Sequence, residues 1–561
     1  MRKAISIGIQ GFSNLMEQNC FFIDKTYFIK RWWERKDVVT LITRPRRFGK
    51  TLNMSMVECF FSNKYAGRAD LFEGLSIWKE EDYRKIQGTY PVIFLSFAAV
   101  KAQNPEEAKA QIKQEIANIY EENRYLLEKD ILSDNERDIY NSTTVKMDDV
   151  TAQNALKKMS AWMERYYGKK VIILLDEYDT PMQEAYVHGY WDEFTSFVRS
   201  LFNAAFKTNP YLERAIMTGI TRVSKESIFS DLNNLRVVTT TSELYADCFG
   251  FTETEVFSAL DEYGLGDRKD EVKKWYDGFT FGEHRDIYNP WSITNYLDEG
   301  KLYPYWASTS SNGLVSRMLR TASADVKEKM EDLLSKHEIV VSFDEQIVYN
   351  QLDYNENAIW SLLLTCGYLK AEQVEYKGRL RKPWYHLAIT NQETESMFES
   401  MFAEWFEYAD ANYNDFVKAM LKGSLKEMNI YMNDVALATF STFDTGRKPS
   451  EKSQPERFYH GFVLGLLVEL RERYEVRSNR ESGYGRYDIM MIPLHENDNA
   501  IIIEFKVHEP DEEKSLQDTV NSALNQITMK KYDEELLAKG IPADRIRHYG
   551  FAFEGKKVLI G

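Results

Sequence analysis

The tripeptide Gly49-Lys50-Thr51 follows an apolar run that begins at Val38 and a short basic loop. A strand, a loop and then Gly-Lys-Thr at the start of a helix is the layout of a phosphate-binding loop. In such a loop, backbone N–H groups at the helix start surround phosphate oxygens. Lys50 would neutralise the phosphates of a nucleotide, and the Thr51 hydroxyl would be a ligand of Mg²⁺. The alternative is an ordinary strand-to-helix turn with a solvated basic patch.

A pair of acidic residues ends a second apolar run. Five apolar residues at 171–175 are followed by Asp176 and Glu177. An acid at the carboxyl end of a parallel strand faces the same crevice as the phosphate loop. Asp176 is therefore the expected Mg²⁺ ligand, and Glu177 is the candidate base that orients and deprotonates the attacking water. The alternative is that Asp176 and Asp179 only cap a following helix.

Three further charged residues have the spacing of a metal-dependent hydrolytic site. Asp488 precedes an apolar segment, and Glu504 and Lys506 are two residues apart in the run 501–507. Side chains two apart on a strand share a face, and a hairpin can bring Asp488 beside Glu504. The two carboxylates would bind Mg²⁺, and Lys506 would orient or deprotonate a water that attacks a phosphodiester. A half-exposed strand alternates charged and apolar residues in the same way and is the alternative.

These residues require two sets of strands and helices to position them. Strands are predicted from apolar runs at 38–43, 91–97, 171–176 and 212–218. Helical spacing separates them at 52–62, 104–127 and 151–167. Strands that alternate with helices predict a parallel sheet covered on both faces. Near the C-terminus, a helix at 458–470, two strands that carry Asp488 and Glu504, and a later helix predict a small α/β domain.

Composition limits the classes of protein that fit. A chain of 561 residues is too long for one hydrophobic core, so about three to five units are expected. With 43% hydrophobic residues it is not a disordered protein. The net charge of -16 excludes a protein that coats nucleic acid over its whole surface. Four separated cysteines without a CxxC pair, and no apolar run near about 18 residues, predict a cytoplasmic protein without a membrane span.

The phosphate loop departs from the usual pattern GxxxxGK[ST], because Arg44 stands where glycine is expected. The loop in this chain reads Arg44-Pro45-Arg46-Arg47-Phe48-Gly49-Lys50-Thr51. It resembles the loop of the AAA-ATPase-like family found beside PD-(D/E)XK nuclease domains in many bacterial proteins. The C-terminal set of Asp488, Glu504 and Lys506 resembles the nuclease core. This resemblance spans nearly the whole chain. A strand at 91–97 also suits the ATPase branch that places another strand between the two motif strands of the sheet.

The resemblance implies an α/β fold class with four parts. These are an AAA-like P-loop NTPase core with a parallel sheet at 1–250, a helical lid at 251–340, a helical connecting region at 341–435 and a small restriction-endonuclease-like α/β domain at 436–561. The cofactors implied are ATP and Mg²⁺.

The resemblance also assigns residues. The implied ATP-binding positions are Arg44, Pro45, Arg46, Arg47, Phe48, Gly49, Lys50, Thr51, Leu52, Asp176 and Thr218. The implied metal ligands are Thr51, Asp176, Asp488 and Glu504. Thr218 resembles the sensor position of AAA-type ATPases, and Arg222 is a candidate phosphate sensor, with an N-cap or a surface arginine as alternatives. Gln526 resembles a residue of the nuclease family's extra active-site helix, with an exposed helix surface as the alternative.

Two functions are consistent with these features. The first is a P-loop ATPase that binds and hydrolyses ATP and is coupled to a Mg²⁺-dependent endonuclease acting on DNA or RNA. The second is a signalling module that ATP latches and whose inactive nuclease fold only binds nucleic acid or another partner. Glu177 favours turnover. A homo-oligomer is an open alternative, since ATPases of this kind often take an arginine from a neighbour.

Overall fold

A computed structural model provides the structure of the chain. It describes residues 2–221, 229, 232–307, 313–334, 336–345, 352, 355–407, 413–439, 463, 470, 473–478, 481–482, 485–495, 498–508, 513–554 and 557–561. The candidate Arg222 and most of the predicted helix at 458–470 lie outside the described residues. The chain forms two compact units, the first at 1–318 and 332–395 and the second at 319–331 and 396–561.

The first unit contains the predicted parallel sheet. Its strands are β1 (Val39–Thr43), β2 (Val92–Ser96), β3 (Val171–Asp176), β4 (Leu212–Gly219) and β5 (Leu235–Val238), in the order β2-β3-β4-β1-β5. Every residue of β1 and β3 is buried, as expected for central strands with helices on both sides. The sheet confirms the predicted α/β class. β4, and not the strand at 91–97, lies between the two motif strands, while β2 pairs with β3 alone.

Helices connect these strands. They are α1 (Phe12–Glu17), α2 (Tyr27–Arg35), α3 (Lys50–Phe61), α4 (Glu81–Arg84), α5 (Pro105–Glu122), α6 (Asp134–Ser142), α7 (Asp149–Tyr167), α8 (Thr180–Val187) and α9 (Trp191–Phe202). Helix α6 forms in a polar stretch because Ser133 and Glu136 make a reciprocal capping box at its start. Asp148 caps α7, and Gly168 ends it in the left-handed conformation. Local capping signals therefore set several helix boundaries.

The rest of the first unit mixes helices with two small antiparallel sheets. Its helices are α10 (Glu253–Tyr263), α11 (Lys269–Tyr276), α12 (Pro290–Glu299), α13 (Gly313–Thr321), α14 (Ala324–Leu334) and α15 (Ala358–Thr365), with α13 and α14 crossing the unit boundary. One sheet contains β6 (Phe251–Thr252), β7 (Phe279–Phe281) and β8 (His284–Tyr288). The other contains β9 (Ile339–Val341), β10 (Leu369–Lys377) and β11 (Lys382–Ile389).

The connecting region expected at 341–435 contains strands as well as helices, because β10 and β11 lie within it. Residues on β10 and β11 pair directly from Leu369 and Ile389 to Lys377 and Lys382. Aromatic and β-branched residues are frequent on these strands, and Gly378 adopts a positive φ of 73° where the chain turns.

The second unit contains a mixed sheet. Helices α16 (Gln392–Glu407), α17 (Tyr413–Lys422) and α18 (Leu425–Thr439) precede it, with α16 beginning in the first unit. The strands of the mixed sheet are β12 (Tyr474–Ser478), β15 (Ile489–Pro493), β16 (Ala500–Val507), β17 (Ile546–Glu554) and β18 (Lys557–Ile560), while β13 (Glu481–Ser482) and β14 (Gly485–Arg486) form a separate two-stranded sheet. Helices α19 (Leu516–Lys530) and α20 (Glu534–Ala538) follow β16. The order is β12-β15-β16-β17-β18, in which only β16 and β17 are parallel.

Strand β16 is the centre of this unit. Ile501, Ile503 and Phe505 pack into one hydrophobic cluster, and Ile502 packs into another on the opposite face. Since side chains alternate between faces, β16 is buried on both sides of the sheet. Glu504, on the same face as Ile502, is therefore carried into the interior with only 3% of its surface exposed.

Candidate active sites

The phosphate loop connects β1 to the start of α3. Gly49 has a φ of 76° and Arg47 has a φ of 65°, so the loop makes its left-handed turns at these two positions. The Lys50 ammonium donates to the carbonyl oxygens of Arg44 at 3.1 Å and Pro45 at 3.0 Å. Its Nζ also lies 3.6 Å from Glu177 Oε1. Lys50 is therefore folded back over its own loop, next to the predicted base.

Arg44 has a different role from the one its position in the loop suggested. Its guanidinium is fully buried and donates to the carbonyl oxygens of Thr239 at 2.7 Å and Thr43 at 2.9 Å. The same group lies over the Phe281 ring, 4.5 Å from its centroid. Burial lowers the pKa of Arg44 to about 10. This side chain anchors the loop from inside the protein, and the assignment of Arg44 as an ATP-binding position stays a prediction.

Residues further along the first unit contact Arg46, Arg47 and Phe48 of the phosphate loop. The Phe48 ring packs edge-on against Phe279, with the ring centroids 4.7 Å apart. Arg47 lies over the Trp291 ring at 4.2 Å. The Asn289 amide donates to the Arg46 carbonyl at 3.3 Å. The loop shape is thus set by residues about 240 positions away in sequence, as the Asn289 contact at a separation of 243 illustrates.

Asp176 lies where β3 ends and faces the phosphate loop. Its carboxylate accepts a hydrogen bond from Thr51 Oγ1 at 2.7 Å and another from the Thr218 hydroxyl of β4. Burial, and secondarily the charge of Glu177, raise the pKa of Asp176. A hydroxyl and a buried carboxylate side by side supply two hard oxygen donors of the kind that hold Mg²⁺. These two side chains therefore fit the implied metal.

Thr218 reaches the site, but its hydroxyl is directed at a carboxylate. The residue is fully buried, and its backbone carbonyl also accepts from the Tyr178 N–H at 2.9 Å. In this structure the Thr218 hydroxyl therefore positions Asp176. Its assignment as an ATP-binding residue stays a prediction.

Glu177 and Asp179 flank the same strand end. Glu177 has a left-handed φ of 53°, uncommon for a side chain of its size. Asp179 Oδ2 accepts from the Thr221 N–H at 2.7 Å and hydroxyl at 2.6 Å, so it does not cap α8. A Cβ at Gly219 would lie 2.4 Å from Asp179 Oδ1, which explains the glycine there. Sequence reasoning named Asp179 only as a helix cap and missed this role.

The second candidate site is built on the hairpin of β15 and β16. Ile489 pairs with Ile503, so Asp488 lies beside Glu504. Asp488 Oδ2 accepts a hydrogen bond from the Phe505 N–H at 2.7 Å. The predicted proximity of the two acidic residues is therefore present in the structure. Lys506, two residues beyond Glu504 on the same strand, is half-buried.

Helix α19 supplies the remaining partner. The Gln526 amide donates to Glu504 Oε1 and lies 3.3 Å from Tyr532 Oη. Burial raises the pKa of the Tyr532 phenol, and the charges of Glu504 and Asp488 raise it further. A buried carboxylate beside a second carboxylate again offers hard oxygen donors that fit Mg²⁺. Gln526 touches a candidate ligand, as residues around metal sites often do.

One acidic cluster was not anticipated from the sequence. Glu253, Asp277 and Asp286 come together between α10 and the β7–β8 hairpin. Burial, and then Asp286, raise the pKa of Asp277 to about 7. The Lys273 ammonium lies 3.6 Å from Asp286 and also pairs with Glu253. This lysine already supplies a positive charge, so the cluster is an ion-pair network of the first unit.

Comparisons with known proteins give matches to the two parts of the chain that carry the candidate sites. Residues 6–229 match the sequence model of a family described as predicted AAA-ATPase, and residues 454–561 match that of the PD-(D/E)XK nuclease superfamily. The phosphate loop, Asp176 and Glu177 lie within the first match, and the carboxylate pair of the second unit lies within the second. The resemblance inferred from the sequence is confirmed.

A relative in Azotobacter chroococcum mcd 1 matches along almost the full length. It is described as an uncharacterized protein in the vnfD 5′ region, and it is 24% identical over 549 residues. The alignment covers 96% of this chain and 95% of the relative. Among the helices that the structure describes, none has the length and apolar character needed to cross a bilayer.

Proposed function

We propose that this chain, in which an AAA-ATPase-like domain is joined to a PD-(D/E)XK nuclease superfamily domain, is an ATP-hydrolysing protein that controls a metal-dependent nuclease. The observation that carries the proposal is the convergence of Lys50, Thr51, Asp176 and Glu177 at one end of the parallel sheet. Each residue type matches one requirement of phosphoryl transfer to water.

The ATPase step uses the chain's own groups as follows. ATP places its phosphates against the first turn of α3, where the helix dipole favours negative charge. Lys50 exchanges its two carbonyl partners for phosphate oxygens, because a phosphate is a stronger partner for an ammonium than a neutral carbonyl. Glu177 orients a water molecule and accepts its proton. Bound Mg²⁺, held by Thr51 and Asp176, would neutralise charge that develops on the phosphates.

The proposed cleavage step uses the second unit. Asp488 and Glu504 would hold Mg²⁺, which would polarise a phosphodiester of DNA or RNA. Lys506 orients the attacking water and helps to remove its proton, a role for which a half-buried lysine near carboxylates is suited. Gln526 keeps Glu504 in position.

Substitution of the base tests the ATPase step. Glu177→Gln keeps the size of the side chain but removes its ability to accept a proton. We expect ATP hydrolysis, measured as phosphate release, to fall about 100- to 10,000-fold while affinity for a fluorescent ATP analogue stays within a factor of three. The matched control is Glu184→Gln on α8. Equal loss in both variants, or no loss in Glu177→Gln, would contradict the assignment.

One observation favours a second function. The Gln526 amide occupies Glu504 Oε1, and such a contact would also suit a nuclease fold that only binds its target. In that case ATP acts as a conformational latch. In that case the Lys506→Ala substitution leaves the biological activity of the protein intact. In a working nuclease the same substitution abolishes that activity.

A further inference from the structure

The tip of the β10–β11 hairpin has an unusual surface. Residues 376–382, with the sequence YKGRLRK, are all exposed and contain four basic residues and no acidic residue. Tyr376 is 61% exposed and Leu380 is 80% exposed. In a chain with a net charge of -16, this concentration of positive charge is a local exception. A basic projection on an acidic protein indicates an anionic partner.

Acidic side chains among the described residues neutralise only part of this charge. Lys377 pairs with Glu375 at 2.7 Å. Within the part of the chain that the structure describes, Arg379, Arg381 and Lys382 form no ion pair. The tip therefore presents three cationic side chains to solvent.

The hairpin is also well defined in shape. Lys377 and Lys382 are the last directly paired residues, so only four residues form the turn. Arg381 lies over the Tyr376 ring at 5.5 Å, and Lys377 lies over the Trp384 ring at 5.3 Å. Because cationic groups cover both rings, these aromatics are poorly placed to stack on unpaired bases. That arrangement argues against a single-strand platform.

We propose that this hairpin tip binds duplex DNA by entering its major groove, with Arg379, Arg381 and Lys382 on the phosphates. A two-stranded β-ribbon fits the major groove of B-form DNA, which is about 12 Å wide. The major groove of A-form RNA is too narrow for side chains to enter. The inference rests on the proposed function in taking nucleic acid as the target, and it adds a binding surface in the ATPase unit, separate from the nuclease carboxylates.

The root of the hairpin is tied to the phosphate loop. Tyr385 of β11 donates to Glu345 at 3.0 Å, and the Thr239 hydroxyl donates to the other oxygen of Glu345 at 3.0 Å. The Thr239 carbonyl in turn accepts from the Arg44 guanidinium at 2.7 Å. Three contacts therefore connect a DNA-binding tip to the loop that holds ATP.

Binding without cleavage tests the inference. Fluorescence anisotropy of a labelled 30-base-pair DNA duplex, and of single-stranded DNA and duplex RNA of the same length, would be measured in EDTA and without ATP, so neither catalytic activity enters the result. In the full-length triple variant Arg379→Gln, Arg381→Gln, Lys382→Gln, we expect at least a tenfold rise in Kd. The slope of log Kd against log salt should fall by about 2 to 3, because each phosphate contact contributes about 0.9.

A second triple variant controls for net charge. Lys129→Gln, Lys146→Gln and Lys170→Gln remove three exposed positive charges elsewhere in the same unit. This control should keep the parent Kd within a factor of two, and all proteins should keep the parent melting temperature. The inference would be overturned if both triple variants bound duplex DNA equally weakly, or if the hairpin variant bound it as the parent does. It would also be overturned if the hairpin variant weakened only the binding of single-stranded DNA or duplex RNA. A failure to cleave DNA in separate assays would contradict only the proposed function.

Discussion

The two candidate catalytic sites hold their carboxylates by different means. In the first unit, hydroxyl groups on α3 and β4 hold Asp176. In the second unit, a backbone N–H holds Asp488, and a side-chain amide on α19 holds Glu504. The lysines differ too. Lys50 is 3% exposed and has three oxygen partners, whereas Lys506 is half-buried and has no ion pair within the described residues.

This difference indicates how each site responds to change. A hydroxyl can be removed by mutation, so the position of Asp176 is sensitive to single substitutions on two elements. The Phe505 N–H belongs to the backbone of β16, so the position of Asp488 depends on the strand itself. The nucleotide site is therefore adjustable through its side chains, while the carboxylate pair is fixed by the sheet. In the second unit, Lys506 and Gln526 are therefore the two side chains through which a substitution can alter the site.

The largest expected effect is at Lys506. Lys506→Ala removes the group that we propose orients and helps to deprotonate the attacking water, so cleavage of plasmid DNA should fall about 100- to 10,000-fold. ATP hydrolysis should not change, because the residue belongs to the other unit. Lys557→Ala, an exposed lysine of β18, is the control. Cleavage at the parent rate in Lys506→Ala would remove the lysine from the chemistry.

Gln526 should have an intermediate effect. Gln526→Ala deletes the amide that holds Glu504, and loss of a partner next to a metal ligand typically costs 10- to 100-fold in metal affinity. The Mg²⁺ concentration for half-maximal cleavage should rise by that factor, with little change in the rate at saturating Mg²⁺. Met529→Ala changes an exposed residue of the same helix and serves for comparison. A fall in rate at saturating metal would instead place Gln526 on the reacting groups.

The smallest expected effect is at Thr218. Thr218→Val keeps the shape of the side chain but removes one of the two hydroxyl donors to Asp176. We expect about a tenfold rise in the Mg²⁺ concentration that half-saturates ATP hydrolysis, because Thr51 still holds the carboxylate. Thr218→Ser, which retains a hydroxyl, should behave as the parent does. If both variants behave alike, the hydrogen bond has no role in metal binding.

The same pair of variants gives a pH test. Mg²⁺ binds the deprotonated form of Asp176, and burial places the pKa of this group above its usual 3.8. ATP turnover should therefore be retained above the raised pKa and lost as the pH falls through it. The hydrogen bond from Thr218 lowers the pKa of Asp176, so this pKa should rise when the bond is lost in Thr218→Val. The acidic limb of the pH profile should therefore move to higher pH. A shift to lower pH would be inconsistent with this geometry.

The sequence was sufficient for features that depend on local pattern. Strand β3 is a run of apolar residues ending in acid, and the alternation in β16 placed Glu504 and Lys506 on one face. Contacts between distant residues could not be inferred. Arg44 stands in the loop where glycine is expected, and its guanidinium is buried among carbonyl groups supplied by Thr239 and Tyr245. Nothing near position 44 encodes those partners.

The hairpin of β10 and β11 also depends on contacts that the local sequence does not identify. The sequence indicated helices on either side of this hairpin, whereas its strands are defined by pairing with each other and with β9. Asp179 could have been suspected from the acid spacing after β3, since a second acid three residues on occupies the same crevice. Its three hydrogen bonds to the 220–221 segment, however, depend on tertiary structure.

The central claim is that ATP turnover in the first unit controls cleavage by the second. The most direct measurement is the rate of supercoiled plasmid cleavage in Mg²⁺, with and without ATP, for the parent, Lys50→Ala and Asp488→Asn. We expect ATP to change the parent rate, Lys50→Ala to show one ATP-independent rate, and Asp488→Asn to cleave nothing while it still hydrolyses ATP. An ATP response that persists in Lys50→Ala, or cleavage that persists in Asp488→Asn, would contradict the account.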